Sequence, residues 1–141
     1  MKSANAKLTV ACLFLLSAFL FLNPAQSFSF EIAIEVAPNT LNIPSESQVV
    51  TVHTSIAYSS VDHDNVYLNG ILISSWKADN RGNFVAKFLM SEVKALAESG
   101  AIVVPGENEL TLVGYTSEGT EFTGTQTITV INVEPAGSGR K

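Results

Sequence analysis

Residues 109–131 read ELTLVGYTSEGTEFTGTQTITVI and alternate in polarity on both sides of a polar connection at Ser117-Glu118-Gly119-Thr120. Leu110 and Leu112 flank Thr111 on the way in; Ile128 and Val130 interleave with Thr127 and Thr129 on the way out. A period of two places the apolar set on one side of a pleated strand. Gly119 supplies the positive φ that a tight connection needs. The stretch is therefore a β-hairpin with one apolar face. A hairpin alone is marginal in water, so the rest of the chain has to cover that face.

The remaining patterns are mostly strands. Residues 28–36 alternate strictly, with Phe28, Phe30, Ile32, Ile34 and Val36 on one side and Ser29, Glu31, Ala33 and Glu35 on the other. This predicts one continuous strand, ended by Pro38-Asn39. Leu41 and Ile43 form a short extended piece before Pro44-Ser45. In 49–56, Val50, Val52, Thr54 and Ile56 share a face, opposite Val49, Thr51, His53 and Ser55. A polar loop spans 58–65. Asn69-Gly70 between Val66-Tyr67-Leu68 and Ile71-Leu72-Ile73 is a strong hairpin signal, because both residues tolerate positive φ. Trp76 and the polar loop 78–83 follow. Phe84, Ala86 and Phe88 then alternate with Val85 and Lys87. One helix is predicted over 91–98, with Ser91 as N-cap, Val93 and Leu96 on one face and Gly100 as terminator. Seven to eight short strands, turn signals every 8–12 residues and one short helix predict an all-β, antiparallel β-sandwich.

The N-terminus sets the compartment. Lys2 and Lys7 precede an apolar run over 8–22, followed by Asn23-Pro24 and the small-residue pattern Ala25-Gln26-Ser27. A basic start, a short apolar core and small residues before a cut predict a cleavable signal peptide over 1–27. The run of 15 residues is shorter than the ~20 a spanning helix needs, so the membrane is met only through this leader. The expected organisation is a leader, one β-sandwich domain over 28–133 and a disordered tail over 134–141, EPAGSGRK, which has little to bury. The protein is expected outside the cytoplasm, secreted or periplasmic. Cys12, the single cysteine, falls in the leader. The exported chain then has no disulfide, thiolate metal site or cysteine nucleophile. Without Lys2 and Lys7, six basic residues face thirteen acids, a net charge of −7. Such a surface repels phosphate backbones and argues against nucleic-acid binding.

Three clusters invite chemistry. Asp79, Asn80 and Asn83 are candidate calcium ligands by oxygen content; Arg81 sits between them, and the same residues suit an ordinary turn. Asp62-His63-Asp64 is the densest titratable cluster, and with His53 it is a candidate metal site if the loop brings the side chains together. Otherwise it is a solvated loop. No G-x-S-x-G occurs, and neither histidine lies in a recognisable hydrolase motif. No cofactor is expected. The aromatic residues Trp76, Tyr58, Tyr67 and Tyr115 are candidates for a sugar-stacking platform. Trp76 and Tyr67 are the candidate ligand-binding pair; Tyr67 lies opposite in phase to Val66 and Leu68, and so faces outward. Of the two places open to Trp76, a core plug between the sheets is the expected one, as large aromatics commonly are in sandwiches. Thr111, Thr123, Thr125, Gln126, Thr127 and Thr129 are expected to form a threonine-rich outer face.

The order and spacing of several motifs resemble a known module. They are Asn39-Thr40-Leu41-Asn42-Ile43, Val49-Val50-Thr51-Val52, Val66-Tyr67-Leu68-Asn69-Gly70, Val85-Ala86-Lys87-Phe88 with Ser91-Glu92-Val93, Leu110-Thr111-Leu112, and 119–124 with Ile128-Thr129-Val130. Over most of 36–131 the chain resembles a recurrent Ig-like β-sandwich accessory module of secreted and cell-surface bacterial and archaeal proteins. Such modules often stand beside dockerins or other ectodomain modules. The resemblance implies an Ig-like or fibronectin-like sandwich without catalytic activity. Members of that family often carry an acidic loop before the strand at Val85; here it is Asp79-Asn80-Arg81-Gly82-Asn83, with one carboxylate and a cation. The expected function is a non-catalytic secreted module acting in protein or cell-surface interaction. The alternatives are a carbohydrate- or calcium-binding module, with a cell-surface glycan as partner, and a subunit of a surface assembly that pairs through the strand at 28–36.

Overall fold

The computed structural model describes residues 28–134. The expected leader over 1–27, and residues 135–141 of the expected tail over 134–141, lie outside the described residues. The described chain is two sheets around one core, with a single short helix. In chain order its elements are β1 (Ser29–Glu31), β2 (Ile34–Ala37), β3 (Thr40–Asn42), β4 (Val49–Ala57), a 3₁₀ turn (Tyr58–Ser60), β5 (Tyr67–Leu68), β6 (Ile71–Leu72), β7 (Ser75–Ala78), β8 (Asn83–Leu89), α1 (Met90–Glu98), β9 (Gly106–Tyr115) and β10 (Glu121–Ile131).

The β9–β10 hairpin is the centre of the larger sheet. Its antiparallel register runs from Glu121 opposite Tyr115 to Val130 opposite Gly106. Gly119 takes φ +90° at the tip. Leu110, Leu112, Phe122, Ile128 and Val130 are buried on one face, as the alternation requires. The six-stranded sheet runs β1–β10–β9–β5–β6, with β3 also on β10; the four-stranded sheet runs β2–β4–β8–β7. Val36, Val50, Val52, Phe84, Ala86 and Phe88 of the second sheet meet the hairpin's apolar face in a continuous core. Asn69 (φ +47°) and Gly70 (φ +86°) form the β5–β6 turn expected of Asn-Gly. The Asn69 side-chain oxygen also accepts from the Thr111 N–H at 2.7 Å, fastening this hairpin to β9.

Four expectations need correction. The strand over 28–36 is two strands in two sheets. β1 pairs with β10 and β2 with β4. The change falls between Ile32, whose N–H donates to Thr123 O at 2.8 Å, and Ala33, whose O accepts from Ser55 N at 3.0 Å. The alternation survives because the inner face of one sheet looks at the inner face of the other. A chain crossing between them keeps the same residues inward. The sheets are also not wholly antiparallel: β1 and β3 both run parallel to β10, on the same edge of it. Neither reaches β10 through a hairpin, so no short turn fixes their direction.

β7 carries no strand signal in the sequence, because all four of its residues are exposed and show no apolar alternation. Finally, α1 begins at Met90, so Ser91 lies inside the first turn, and Leu89, without a side-chain cap, holds the N-cap position. The Met90 N–H is satisfied by Gln48 O. The C-terminal end follows expectation. Gly100 at φ +82° lets Ala101 N reach Leu96 O at 2.8 Å and Gly100 N reach Ala97 O at 3.2 Å, the paired bonds of a Schellman motif.

Candidate functional site

Loop 58–65 and strand β7 close one flank of the two layers, where Asp62, His63, Asp64 and Trp76 come together. Trp76 pairs with Ala86 and therefore points toward the core side of the four-stranded sheet. β7 is an edge strand, however, so no further strand covers the indole, and Trp76 remains 38% exposed. This corrects its expected place as a core plug: the phase is inward, but the position is lateral. His63 fills the space beside it. Its ring stacks on Tyr58 at 4.1 Å between centroids and on Phe84 at 5.8 Å, and lies 6.1 Å from the Trp76 ring. The result is an aromatic stack anchored on a buried phenylalanine and ending in a half-exposed indole.

His63 Nε2 lies 2.8 Å from Tyr58 O. With a carbonyl as partner, this nitrogen carries the hydrogen, and Nδ1 of the neutral ring is left as the acceptor. The bond reaches back five residues and helps fix the loop. Asp62 and Asp64, on either side of His63, are exposed and share an open groove of about 440 Å³ with Val61, His63, Trp76 and Ser117. Ser117 comes from the tip of the β9–β10 hairpin, held against the 3₁₀ turn by its N–H donating to Ser60 O at 2.9 Å. An acid, a histidine and a serine are thus on one surface. Serine hydrolysis needs a bond from nucleophile to base; among the described residues His63 bonds the Tyr58 carbonyl through Nε2, and no bond joins its ring to Ser117. Among the described residues no three His, Cys, Asp or Glu side chains form a metal-ligating group.

Ser117 also lines a second groove, about 480 Å³, with Phe30, Ile56, Ser59, Ser60, Thr116, Glu118 and Thr120. Phe30 is 41% exposed and packs one side of its ring near Phe122, 6.2 Å between centroids. The two grooves therefore share a wall at Ser117. No signal in the sequence joins Phe30 to Trp76, because β1 and β7 belong to different sheets.

The other candidates lie elsewhere. Tyr67 is on the outer face of the six-stranded sheet, opposite Val113 and Leu72 in register. It is exposed as expected, but does not line the groove at Trp76. Tyr115 also faces outward there, its hydroxyl 3.4 Å from Glu121 Oε2. His53 is on the outer face of the four-stranded sheet, in a third groove with Glu35, Asp79 and Arg81, so the two histidines belong to separate surfaces. In the β7–β8 turn, Asp79 Oδ1 accepts from Arg81 N at 2.8 Å and Asn83 N at 2.9 Å. This is the side-chain-to-backbone pattern of an Asx turn. The Asn83 N–H, with lesser help from the Arg81 N–H and charge and against a smaller opposing desolvation, holds the Asp79 carboxyl below its ordinary range. The carboxylate among the three calcium candidates thus already serves as the turn's acceptor. Thr123, Thr125, Thr127 and Thr129 do share the outer face with Thr111. Gln126 does not: it is in phase with Phe122 and Ile128, and its Oε1 accepts from the Val36 N–H.

Comparison with protein-family models, with curated proteins and with solved structures finds no match.

Proposed function

We propose that the chain is an exported, non-catalytic Ig-like β-sandwich module that binds a partner protein or cell-surface component through the flank at Trp76. Export rests on the leader pattern of 1–27, and the Ig-like assignment on the ordered motifs of 36–131. The observation that carries the reading is the half-exposed indole of Trp76, held by the stack with His63, Tyr58 and Phe84 beside an open groove. A large aromatic immobilised at a surface offers contact area at little entropic cost, which is why tryptophan is enriched among binding hot spots. The His63–Tyr58 bond supports the binding reading by fixing the loop that holds the ring beside the indole.

The test is retention of the purified protein on the cell envelope of its source, compared with Trp76→Ala. The substitution abolishes retention on this reading, while circular dichroism stays unchanged. Turnover of an ester, peptide or glycoside that is lost in Asp62→Asn would overturn the non-catalytic part. A carbohydrate ligand is the second reading, favoured by the same exposed indole, on which a sugar ring can stack.

A further inference from the structure

The geometry points to a cationic, extended peptide segment, bearing lysine or arginine, as the ligand of the flank, running from Trp76 over Ser117 toward Phe30. This rests on the binding reading above and adds the chemistry of the partner. Three observations carry it. The first is continuity. The groove at Trp76 and the groove at Phe30 share Ser117, so a ligand that fills the first meets the second without leaving the surface. An aromatic ring, exposed by about two-fifths, stands in each: Trp76 at 38% and Phe30 at 41%.

The second is charge. Asp62 and Asp64 line the first groove and Glu118 the second, all exposed, and no lysine or arginine lines either. The contrast with the third groove is informative, because Arg81 and His53 stand there beside Glu35 and Asp79. The formally charged side chains lining the flank, His63 apart, are therefore all of one sign. Their field favours a cation, repels phosphate, sulfate and uronate groups, and gives a neutral sugar nothing beyond hydrogen-bond acceptors. The third is the indole itself. A cation over the face of tryptophan is the strongest of the cation–π pairings, and the alkyl stem of lysine or arginine packs on the same ring. Carboxylates around an exposed tryptophan thus recognise head group and stem of one side chain together. Ser59, Ser60, Thr116 and Thr120 along the second groove offer hydroxyls to the peptide backbone beyond it.

The probe is a capped octapeptide of alternating lysine and glycine, titrated against the purified protein by calorimetry. Its controls are the same peptide with every lysine acetylated and a neutral linear hexasaccharide of glucose. On this proposal the lysine peptide binds, and acetylation weakens it by about tenfold or more, as does Trp76→Ala or the double change Asp62→Asn, Asp64→Asn. Raising salt from about 50 to about 200 mM weakens the wild type, and the asparagine double variant loses most of that dependence. Glu118→Gln weakens the octapeptide but leaves a capped Gly-Lys-Gly tripeptide unchanged, which locates the second groove. All these substitutions are at exposed positions, and circular dichroism with the thermal midpoint confirms that each variant is folded.

Equal binding of the acetylated peptide, or salt-independent binding of the hexasaccharide that Trp76→Ala abolishes, overturns the cationic ligand and leaves the binding-module reading in place. Binding of none of the three probes also overturns it. Envelope retention then decides the module reading separately, by whether it is lost in Trp76→Ala.

Discussion

The backbone N–H of Val36 donates to Oε1 of Gln126, ninety residues away, and so ties an edge strand of the smaller sheet to the central strand of the larger one. Val36 is almost fully buried, and β10 turns the Gln126 side chain inward among Phe122, Ile128 and Val130. Removing the acceptor leaves a buried amide without a partner, which costs about 1–3 kcal/mol. Gln126→Leu should lower the free energy of unfolding in urea by that amount. Thr125→Val, one residue away on the outer face, should change it by less than about 0.5 kcal/mol.

Two glycines in the central hairpin are there for lack of a side chain, not for their φ. A Cβ on Gly114 would stand 2.4 Å from Cζ of Phe122, its cross-strand partner. A Cβ on Gly124 would stand 2.5 Å from Cγ2 of Ile34 and 3.0 Å from Ile32 O, where the chain crosses between the sheets. Overpacking of this kind costs about 1–3 kcal/mol. Gly114→Ala pushes only on a ring, whereas Gly124→Ala also meets backbone. We expect both to lower the midpoint of thermal unfolding, Gly124→Ala the more. The reverse order would show that the crossing yields more easily than the Phe122 ring.

Asn108 is the buried polar side chain that holds the loop before β9. Its Oδ1 accepts from Val103 N at 2.7 Å, and its Nδ2 donates to Val103 O at 2.8 Å. Both backbone groups of one residue are satisfied by one amide. Asn108→Asp keeps the shape and the acceptor but sets a carboxylate oxygen against a carbonyl. Asn108→Leu loses both bonds. Each should cost about 1–3 kcal/mol. Amide hydrogen exchange should show the Val103 N–H losing protection in Asn108→Leu and keeping it in Asn108→Asp.

The Asp79 turn should show in the pH dependence of stability. Its carboxyl ionises more readily in the folded chain, chiefly because Asn83 N–H donates to it. A folded pKa below the unfolded one contributes stability above the unfolded value, ordinarily about 4, and loses it as pH falls through the folded pKa. Asp79→Ala should therefore be less stable than wild type at about pH 7, and the gap should narrow below about pH 4. A gap independent of pH would assign the whole effect to the turn's shape and none to its charge.

The hairpin of β9 and β10, the Asn69-Gly70 turn, the inward set Val50, Val52, Thr54 and Ile56, and the Gly100 helix stop were all legible in the sequence. Each is a local matter: alternation fixes which residues share a face, and particular residues fix where the chain turns. Asp62, His63 and Trp76 were legible as chemistry but not as a place. What local pattern cannot encode is which sheet a strand joins. Residues 28–36 alternate without a break, yet the partner changes at Ala33, because facing sheets share one interior and the phase is the same in both. Trp76 had the inward phase of a core residue; only the edge position of β7 left it half in solvent and brought His63 against it. Alternation alone puts Gln126 in phase with Phe122 and Ile128, against its expected place on the polar outer face; only the crossing strand gave it a buried amide to accept from. The sequence set the faces and the turns through short-range sterics and burial; the neighbours, and with them the flank at Trp76, followed from contacts between residues far apart in the chain.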